Sequence, residues 1–308
     1  MTENELRFDG RVAVITGAGR GIGRAYARLL AERGASVVVN DLGGTKEGEG
    51  SDPGPARDVA TEIELAGGTV VADTNDVATE EGGRSLIAAA VDAFGRIDIV
   101  VNNAGNIRWG GLPEADLENL DSHLAVHVRG SFNTTRGAWT RMVDQGYGRV
   151  VLTTSAGIFG LADNLGYATA KAALIGMAHS LSVAGAPHGI KVNLIAPNAW
   201  TRMGAHPSDG LDALNRPAPV LMEPDLVAPM ASYLAHEACQ VSGRIYLGGA
   251  GRFARVFIGV TEGFVAPDEH PTMEDVAANW SVINDETDYY VPDNLGDWSA
   301  HYMTHRRG

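Results

Sequence analysis

Short apolar runs alternate with stretches of helical periodicity along the first 250 residues of the chain. The apolar runs cover residues 12–16, 36–40, 69–72, 97–102, 149–153, 191–195 and 244–247, and the helical patterns cover 23–33, 56–66, 80–94, 117–144, 167–186 and 224–236. Strands that are apolar throughout and alternate with helices are typical of a parallel sheet enclosed by two helical layers. The pattern predicts an α/β fold with a doubly wound parallel sheet of about seven strands and helices on both faces.

Two segments depart from this alternation. Residues 42–55 are polar and rich in glycine and proline, which indicates a loop. Residues 251–308 lack a clear strand–helix unit, so we predict that they form a C-terminal extension to a domain that covers residues 1–250. The extension holds many large aromatic side chains for a free tail, namely Trp280, Tyr289, Tyr290, Trp298 and Tyr302. We therefore expect it to be ordered and to pack on its own or a neighbouring subunit.

The composition narrows the range of partners. A net charge of −14 over 308 residues argues against nucleic acid or an anionic membrane as a partner. The single cysteine, Cys239, fits a reducing compartment. The N-terminal stretch lacks a signal-peptide pattern, and no apolar run reaches the ~18 residues of a membrane span. We expect a soluble, cytoplasmic protein that acts on a small molecule and needs no metal.

A glycine-rich turn follows the first apolar run and leads into a helical pattern. It contains Gly17, Arg20, Gly21, Ile22 and Gly23. Glycine lets the backbone approach a diphosphate, and the helix N-terminus supplies free N–H groups. Asp41 ends the second run, where a carboxylate accepts the ribose hydroxyls of NAD and repels the 2′-phosphate of NADP. The pattern favours NAD, although Arg20 is compatible with NADP and Asp41 could simply cap a loop.

Small or polar residues also follow the third, fourth and sixth apolar runs, and we expect them to contact the same cofactor. They are Asp76, Val77, Asn103, Ala104, Gly105, Pro197, Asn198 and Thr201. The carboxylate after the third run could bind the adenine amino group, and the residues after the sixth are expected beside the nicotinamide. The alternatives are a helix cap for Asp76 and a plain turn for residues 102–105.

Tyr167 and Lys171 are candidates for acid/base chemistry. They lie four residues apart in a helical pattern, so their side chains share one face. A neighbouring cation favours the phenolate and would lower the pKa of the tyrosine. A hydroxyl upstream, from Ser155 or Thr154, could hold a substrate oxygen against the pair. The alternative is an ordinary exposed pair on a helix surface.

Three motifs in order resemble the short-chain dehydrogenase/reductase family: TGAGRGIG at 16–23, NNAG at 102–105 and YATAK at 167–171. The resemblance covers about residues 6–250. Further stretches, such as VVVNDLGG and HVRGSF, are similar to the (3R)-hydroxyacyl-CoA dehydrogenase branch found in peroxisomal multifunctional enzymes. The resemblance implies a Rossmann-type sheet, NAD as the cofactor and a homodimer or homotetramer.

The resemblance also implies roles for individual residues. Tyr167 would take the alcohol proton while hydride passes to the nicotinamide, and Lys171 would lower the pKa of this tyrosine and hold the nicotinamide ribose. The family's serine matches Ser155 when counted from the preceding strand and Thr154 when counted back from Tyr167, and we favour Ser155. His127 stands where many members have an asparagine that holds a water.

The substrate is expected to meet residues 199–222, where this family places its substrate lid. This segment contains Trp200, Met203, Leu211, Leu214 and Val220, enough apolar surface for an acyl chain or a ring. Arg202 and Arg216 could bind a CoA phosphate or remain solvated. We expect a 3-hydroxyacyl-CoA dehydrogenase, with a steroid or terpenoid alcohol dehydrogenase as the alternative. A nucleotide-binding regulator without turnover is a third hypothesis.

Overall fold

The computed structural model describes residues 5–204, 222–267 and 270–304. The chain forms two compact units, residues 1–255 and 256–308. The first unit therefore extends slightly beyond the predicted boundary at residue 250. In the described part of the chain, no helix is both long enough and apolar enough to cross a membrane.

The first unit is built on one mostly parallel sheet. Its strands are β1 (Val12–Thr16), β2 (Ser36–Asn40), β3 (Thr69–Asp73), β4 (Ile99–Asn102), β5 (Gly148–Thr153), β6 (Ile190–Pro197), β7 (Ile245–Gly249) and β8 (Arg252–Val256). They follow the order β3-β2-β1-β4-β5-β6-β7-β8, and the pairs from β3 to β7 are parallel. The seven predicted strands are present. The eighth strand, β8, falls in the predicted extension, where the RFARV sequence carries no continuous apolar run; most of its residues are exposed or partly exposed.

The helices that cover this sheet are α1 (Gly21–Glu32), α2 (Gly54–Leu65), α3 (Glu80–Phe94), α4 (Leu117–His123), α5 (Gly130–Gln145), α6 (Leu165–Gly185) and α7 (Ala228–Ala235). Local signals explain their ends. Thr79 begins α3 by accepting the N–H of Gly82, and Gly95 ends it at φ +79°. The observed bounds of α1, α2, α3 and α6 lie within two residues of the predicted ones.

The predicted helical extent over residues 117–144 is confirmed within one residue, but the winding is not uniform. A π-helical stretch, Leu124–Arg129, separates α4 from α5. No glycine or proline interrupts this stretch, so the sequence gives no sign of the change in winding. The change matters because it sets the direction of the side chains just before and within it.

The core lies on both faces of the sheet. All five residues of β1 and all four of β4 are buried. On one face, the fully buried Tyr26 and Leu30 of α1 pack against the strands among small alanine side chains. The strand order reverses between β1 and β4, because the chain continues from β1 to β2 on one side and from β4 to β5 on the other. Such a reversal leaves a crevice beyond the carboxyl ends of β1 and β4.

The second unit is small and contains β9 (Val260–Thr261), β10 (Tyr289–Tyr290), α8 (Met273–Ala278), α9 (Trp280–Ile283) and α10 (Leu295–Tyr302). The two strands pair antiparallel. Stacked rings join its elements: Phe257 with Tyr289, Tyr290 with His301, and Trp298 with Tyr302. Aromatic stacking of this kind supports a folded segment in the absence of a large core.

Candidate active site

A cavity of about 510 Å³ occupies the crevice at the carboxyl ends of the strands. Most of the predicted cofactor residues line it: Gly17, Arg20, Gly21, Ile22, Gly23, Asp41, Asp76, Val77, Asn103, Ala104, Gly105 and Thr201. The remaining four, Tyr167, Lys171, Pro197 and Asn198, are not among its lining residues. Asn198 follows the last residue of β6, and its N–H donates to the carbonyl of Gly248 in β7 at 2.8 Å.

The glycine-rich turn is shaped for close backbone approach. A Cβ on Gly23 would lie 2.3 Å from the carbonyl oxygen of Gly17, which excludes any other residue there without a shift. Asn103 holds the turn in place, since its Nδ2 lies 3.0 Å from the carbonyl oxygens of both Thr16 and Gly17. The Asn103 amide therefore braces the turn, and contact with a nucleotide is left to its neighbours. This cradle of glycines at the start of α1 fits a dinucleotide diphosphate.

Asp41 is fixed by the backbone on two sides. Its Oδ2 accepts the N–H of Gly19 at 2.8 Å, and its Oδ1 accepts the N–H of Gly43 at 2.7 Å. The carboxylate thus joins the glycine-rich turn to the loop after β2 while it faces the cavity. In the same cavity, Nη1 of Arg20 is buried and has no hydrogen-bond partner among the described residues.

Asp76 lies at the cavity but does not cap the helix that follows. Its Oδ1 accepts the N–H of Ala78 at 2.9 Å, whereas Thr79 caps α3. The helix-cap alternative for Asp76 is therefore wrong. A carboxylate with one oxygen held by the backbone keeps acceptor capacity for an amino group in the cavity.

Lys171 is buried beneath Tyr167 on α6. Its Nζ donates to the carbonyl oxygen of Thr153 at 2.6 Å and lies 5.5 Å from the centre of the Tyr167 ring. Burial lowers the pKa of Lys171 to about 7. Burial raises the pKa of Tyr167, and a hydrogen bond with Ser155 opposes this rise. Burial thus sets the direction of the Tyr167 pKa in this structure, and the lowering of this pKa by Lys171 stays a prediction.

The two adjacent hydroxyls upstream lie in different environments. Thr154 is fully buried, and its Oγ1 donates to the carbonyl oxygen of Lys171 at 2.8 Å. Ser155 is partly exposed, accepts the N–H of Gly157 at 3.0 Å and interacts with the Tyr167 phenol. Only Ser155 of the two therefore offers its hydroxyl beside the phenol.

His127 and His123 stack on each other, with 6.0 Å between ring centres, and both meet the Tyr167 ring. His127 lies in the π-helical stretch, and its ring meets the Tyr167 ring edge-on at 5.3 Å between centres. His123 meets the same ring edge-on at 6.0 Å. Burial lowers the pKa of both imidazoles, that of His127 well below its ordinary value, so both are neutral. Sequence reasoning named His127 and missed His123.

Both histidines are tied to the segment after β4. The carbonyl oxygen of Asn106 lies 2.9 Å from Nε2 of His127, and the N–H of Arg108 donates to Nε2 of His123 at 3.1 Å. Asn106 and Arg108 were also missed. For His123 the sequence did offer a signal: it lies four residues before His127 in a helical pattern, which predicts that the two side chains share a face.

The described part of the predicted substrate lid reaches the cavity. Trp200, Thr201, Arg202 and Met203 all line it. Burial lowers the pKa of Arg202, and the positive charge of Arg20 lowers it further, which places two cations at one side of the cavity. Leu211, Leu214, Arg216 and Val220 lie outside the described residues.

These features, a diphosphate cradle beside a serine, a tyrosine and a lysine, agree with what the chain resembles. Residues 11–206 match the model of the short chain dehydrogenase family. The chain belongs to this family. It is an oxidoreductase that acts on the CH–OH group of a small-molecule donor and takes a nicotinamide dinucleotide as its cofactor.

Two curated relatives and one solved structure are similar to this family member. Mouse peroxisomal multifunctional enzyme type 2 is 41% identical over 295 residues, which cover 94% of this chain and 39% of the relative. A short-chain type dehydrogenase/reductase of Mycobacterium tuberculosis is 41% identical over 278 residues, covering 89% of this chain and 94% of the relative.

The structure is 7α-hydroxysteroid dehydrogenase complexed with NADH and 7-oxo glycochenodeoxycholic acid. It is 29% identical with a TM-score of 0.71, and the match covers 82% of this chain and 97% of that one. The chain thus spans well under two thirds of the mouse relative but nearly the full length of single-domain dehydrogenases.

Proposed function

We propose that this short-chain dehydrogenase oxidises a 3-hydroxyacyl-CoA thioester with NAD. The observation that carries the proposal is the placement of Ser155 and the buried Lys171 around a partly buried Tyr167, in a chain with a dinucleotide cradle that Asp41 faces. The choice of substrate is supported by the similarity to the multifunctional enzyme of mouse, although the chain spans 39% of that protein.

In this proposal Tyr167 acts as its phenolate and is the general base that takes the proton of the substrate hydroxyl. Ser155 holds the substrate oxygen against the phenol, since the two side chains already interact. Lys171 keeps the phenol in place from below and meets the nicotinamide ribose. The bound cofactor supplies the hydride acceptor at its nicotinamide ring. Tyr167 is only partly buried without the cofactor, and bound cofactor and substrate would exclude water from the transfer and strengthen these electrostatic contacts.

Asp41 supports NAD over NADP. Its carboxylate is aligned by two backbone N–H groups and faces the cavity about 20 residues after the glycine-rich turn. Such a carboxylate accepts both ribose hydroxyls and repels a 2′-phosphate. Asp76 and Val77 would meet the adenine. Thr201, with Pro197 and Asn198 nearby in the chain, would meet the nicotinamide end.

An acyl-CoA substrate also suits the far wall of the cavity. Trp200 and Met203 supply apolar surface, and Arg202 supplies an exposed cation near Arg20. Guanidinium groups bind phosphate oxygens through paired hydrogen bonds. We propose that the thioester lies along Trp200 and that its nucleotide phosphates remain near Arg202.

A steroid or other ring alcohol is the second candidate substrate. The similarity to a hydroxysteroid dehydrogenase with a bound oxo-steroid favours it, and so does the apolar wall of the cavity. The regulator hypothesis loses support because Tyr167 and Lys171 are both present and close together.

The deciding experiment follows NADH formation from NAD with (3R)- and (3S)-3-hydroxyacyl-CoA thioesters and with hydroxysteroids. We expect turnover with one thioester epimer, and loss of that turnover by at least about 10³-fold in Tyr167→Phe. Turnover with hydroxysteroids alone would show that the substrate is a ring alcohol and not an acyl-CoA. Turnover unchanged by Tyr167→Phe would refute the mechanism.

Three properties of the whole protein complete the proposal: its oligomeric state, its location and the order of its C-terminal extension. We propose a homodimer or homotetramer assembled through α6, because this helix of 21 residues exposes an apolar stripe and its one lysine or arginine, Lys171, is buried. We also propose a cytoplasmic location, and an ordered extension over residues 251–308 that lies at a subunit interface. Imaging of a tagged chain and limited proteolysis test these two points.

A further inference from the structure

The loop over residues 42–52 forms one wall of the cofactor cavity and is fastened at both ends. Its start is held by Asp41, and the N–H of Asp52 donates to the carbonyl of Leu42 at 2.9 Å. The turn in its middle is closed by the N–H of Thr45, which donates to the carbonyl of Glu49 at 2.8 Å. Leu42, Gly44, Thr45, Glu47 and Gly48 line the cavity. The loop is thus a defined wall on the side of the cofactor.

The tip of this loop is bound to the segment Asn106–Arg108. The N–H of Ile107 donates to the carbonyl of Lys46 at 2.8 Å, and Nε of Arg108 donates to the carbonyl of Glu47 at 3.0 Å. The same guanidinium contacts Glu118 at 3.0 Å and Glu49 at 3.6 Å. Nδ2 of Asn106 also donates to the carbonyl of Glu47 at 3.4 Å, so the loop tip is bound to three consecutive residues.

The same three residues carry the two histidines beside Tyr167. The Asn106 carbonyl accepts a hydrogen bond from Nε2 of His127, and the Arg108 N–H donates to Nε2 of His123. Nδ1 of His123 lies 2.7 Å from the Asn119 carbonyl, so this imidazole is held at both nitrogens. Asn106 and Arg108 therefore each bind the loop on one side and a histidine on the other.

The histidines have little freedom to move away from Tyr167. A Cβ on Gly105 would lie 2.5 Å from Cε1 of His127, and one on Gly166 would lie 2.8 Å from Nδ1 of His123. Both imidazoles are almost completely buried. Any displacement of the Asn106–Arg108 segment is thus passed to rings that touch the phenol edge-on.

We propose that His123 and His127 are positioning residues for Tyr167, and that Asn106–Arg108 passes the position of the 42–52 loop to them. The loop wall on the cofactor side then helps to set the placement of the phenol on the substrate side. The inference rests on the proposed function, because it assumes that Tyr167 is the base. Its chemistry needs no change in the charge of either histidine.

Arg108→Ala tests this coupling because it removes the guanidinium from the loop and keeps the backbone N–H that binds His123. At saturating NAD we expect kcat to fall about tenfold, since a displaced base reacts slowly. Arg108→Lys, which can still donate to the Glu47 carbonyl, should recover part of this loss. Arg136→Ala is the matched control, because Arg136 forms an exposed ion pair with Glu80.

A double-mutant cycle with His123→Phe separates coupling from independent damage. If the two residues act through one path, Arg108→Ala/His123→Phe loses no more kcat than the more damaged single variant. If the losses multiply, the inference is overturned. It is also overturned if Arg108→Ala raises only the KM for NAD and leaves kcat unchanged. His123→Gln replaces His123→Phe in the cycle if the latter does not fold by circular dichroism.

Tyr167→Phe distinguishes a failure of the coupling from a failure of the proposed function. Loss of turnover in Tyr167→Phe together with multiplying losses in the cycle refutes the coupling alone. Retained turnover in Tyr167→Phe refutes the proposed function and, with it, the role of the histidines.

Discussion

The hydroxyl of Thr154 donates to the carbonyl oxygen of Lys171 at 2.8 Å, and both side chains are buried. This bond commits Thr154 to fixing α6 against the end of β5. Ser155, the next residue, is left to face the phenol of Tyr167. The two neighbouring hydroxyls therefore have separable functions.

We predict that removal of the Ser155 hydroxyl lowers catalysis, whereas removal of the Thr154 hydroxyl lowers stability. Ser155→Ala should lower kcat by about 10²–10³-fold with little change in thermal stability, because it removes a hydrogen bond to the reacting oxygen. Thr154→Val should lower the free energy of unfolding by about 0.5–1.5 kcal/mol, because it removes a buried hydrogen bond to the Lys171 carbonyl. Steady-state kinetics and urea unfolding of both variants measure this. Loss of kcat confined to Thr154→Val would assign the serine role to Thr154.

Charge removal at Asp41 should relax the choice of cofactor. Asp41→Asn keeps one oxygen for a backbone N–H and removes the repulsion of a 2′-phosphate, and Arg20 is available to meet that phosphate. We expect the ratio of kcat/KM for NADP to that for NAD to rise at least about tenfold, equal to ~1.4 kcal/mol. Asp52→Asn, in the same loop but outside the cavity lining, is the control and should leave this ratio as it is.

Some parts of the site could be predicted from the sequence, and others could not. The glycine-rich turn, Asp41 and the Tyr167–Lys171 spacing are local patterns whose geometry follows from one strand, one turn or one helix. His123, Asn106 and Arg108 act through contacts between distant segments, and the π-helical stretch that orients His127 has no local marker. The direction of the Tyr167 pKa likewise depends on burial, which spacing does not reveal.

The buried amine of Lys171 should make stability depend on pH. Its pKa falls from 10.5 in the unfolded chain to about 7 in the folded protein, so between these values only the unfolded chain holds the proton. The free energy of unfolding therefore rises with pH across this window, by at most ~1.4 kcal/mol per pH unit. Lys171→Met lacks this titration.

Urea unfolding of both proteins without cofactor, at pH values from about 6 to about 10, measures the effect. We expect the stability of the wild type relative to Lys171→Met to increase with pH above about 7 and to be flat below it. A difference that stays constant over the whole range would mean that Lys171 is protonated in the folded state.

The apolar stripe on α6 should hold two subunits together. Leu165 and Val183 are 43% and 55% exposed, and Ala172, Ala173 and Gly176 lie exposed between them at helical spacing. Small residues let two helices approach closely, and an uncharged exposed stripe of this length is unusual on a solvent-facing helix. We predict that Ala173→Glu shifts the protein to a monomer in light scattering coupled to size-exclusion chromatography. Ala88→Glu, the same change on the exposed face of α3, should leave the assembly intact, and equal masses for both variants would place the interface elsewhere.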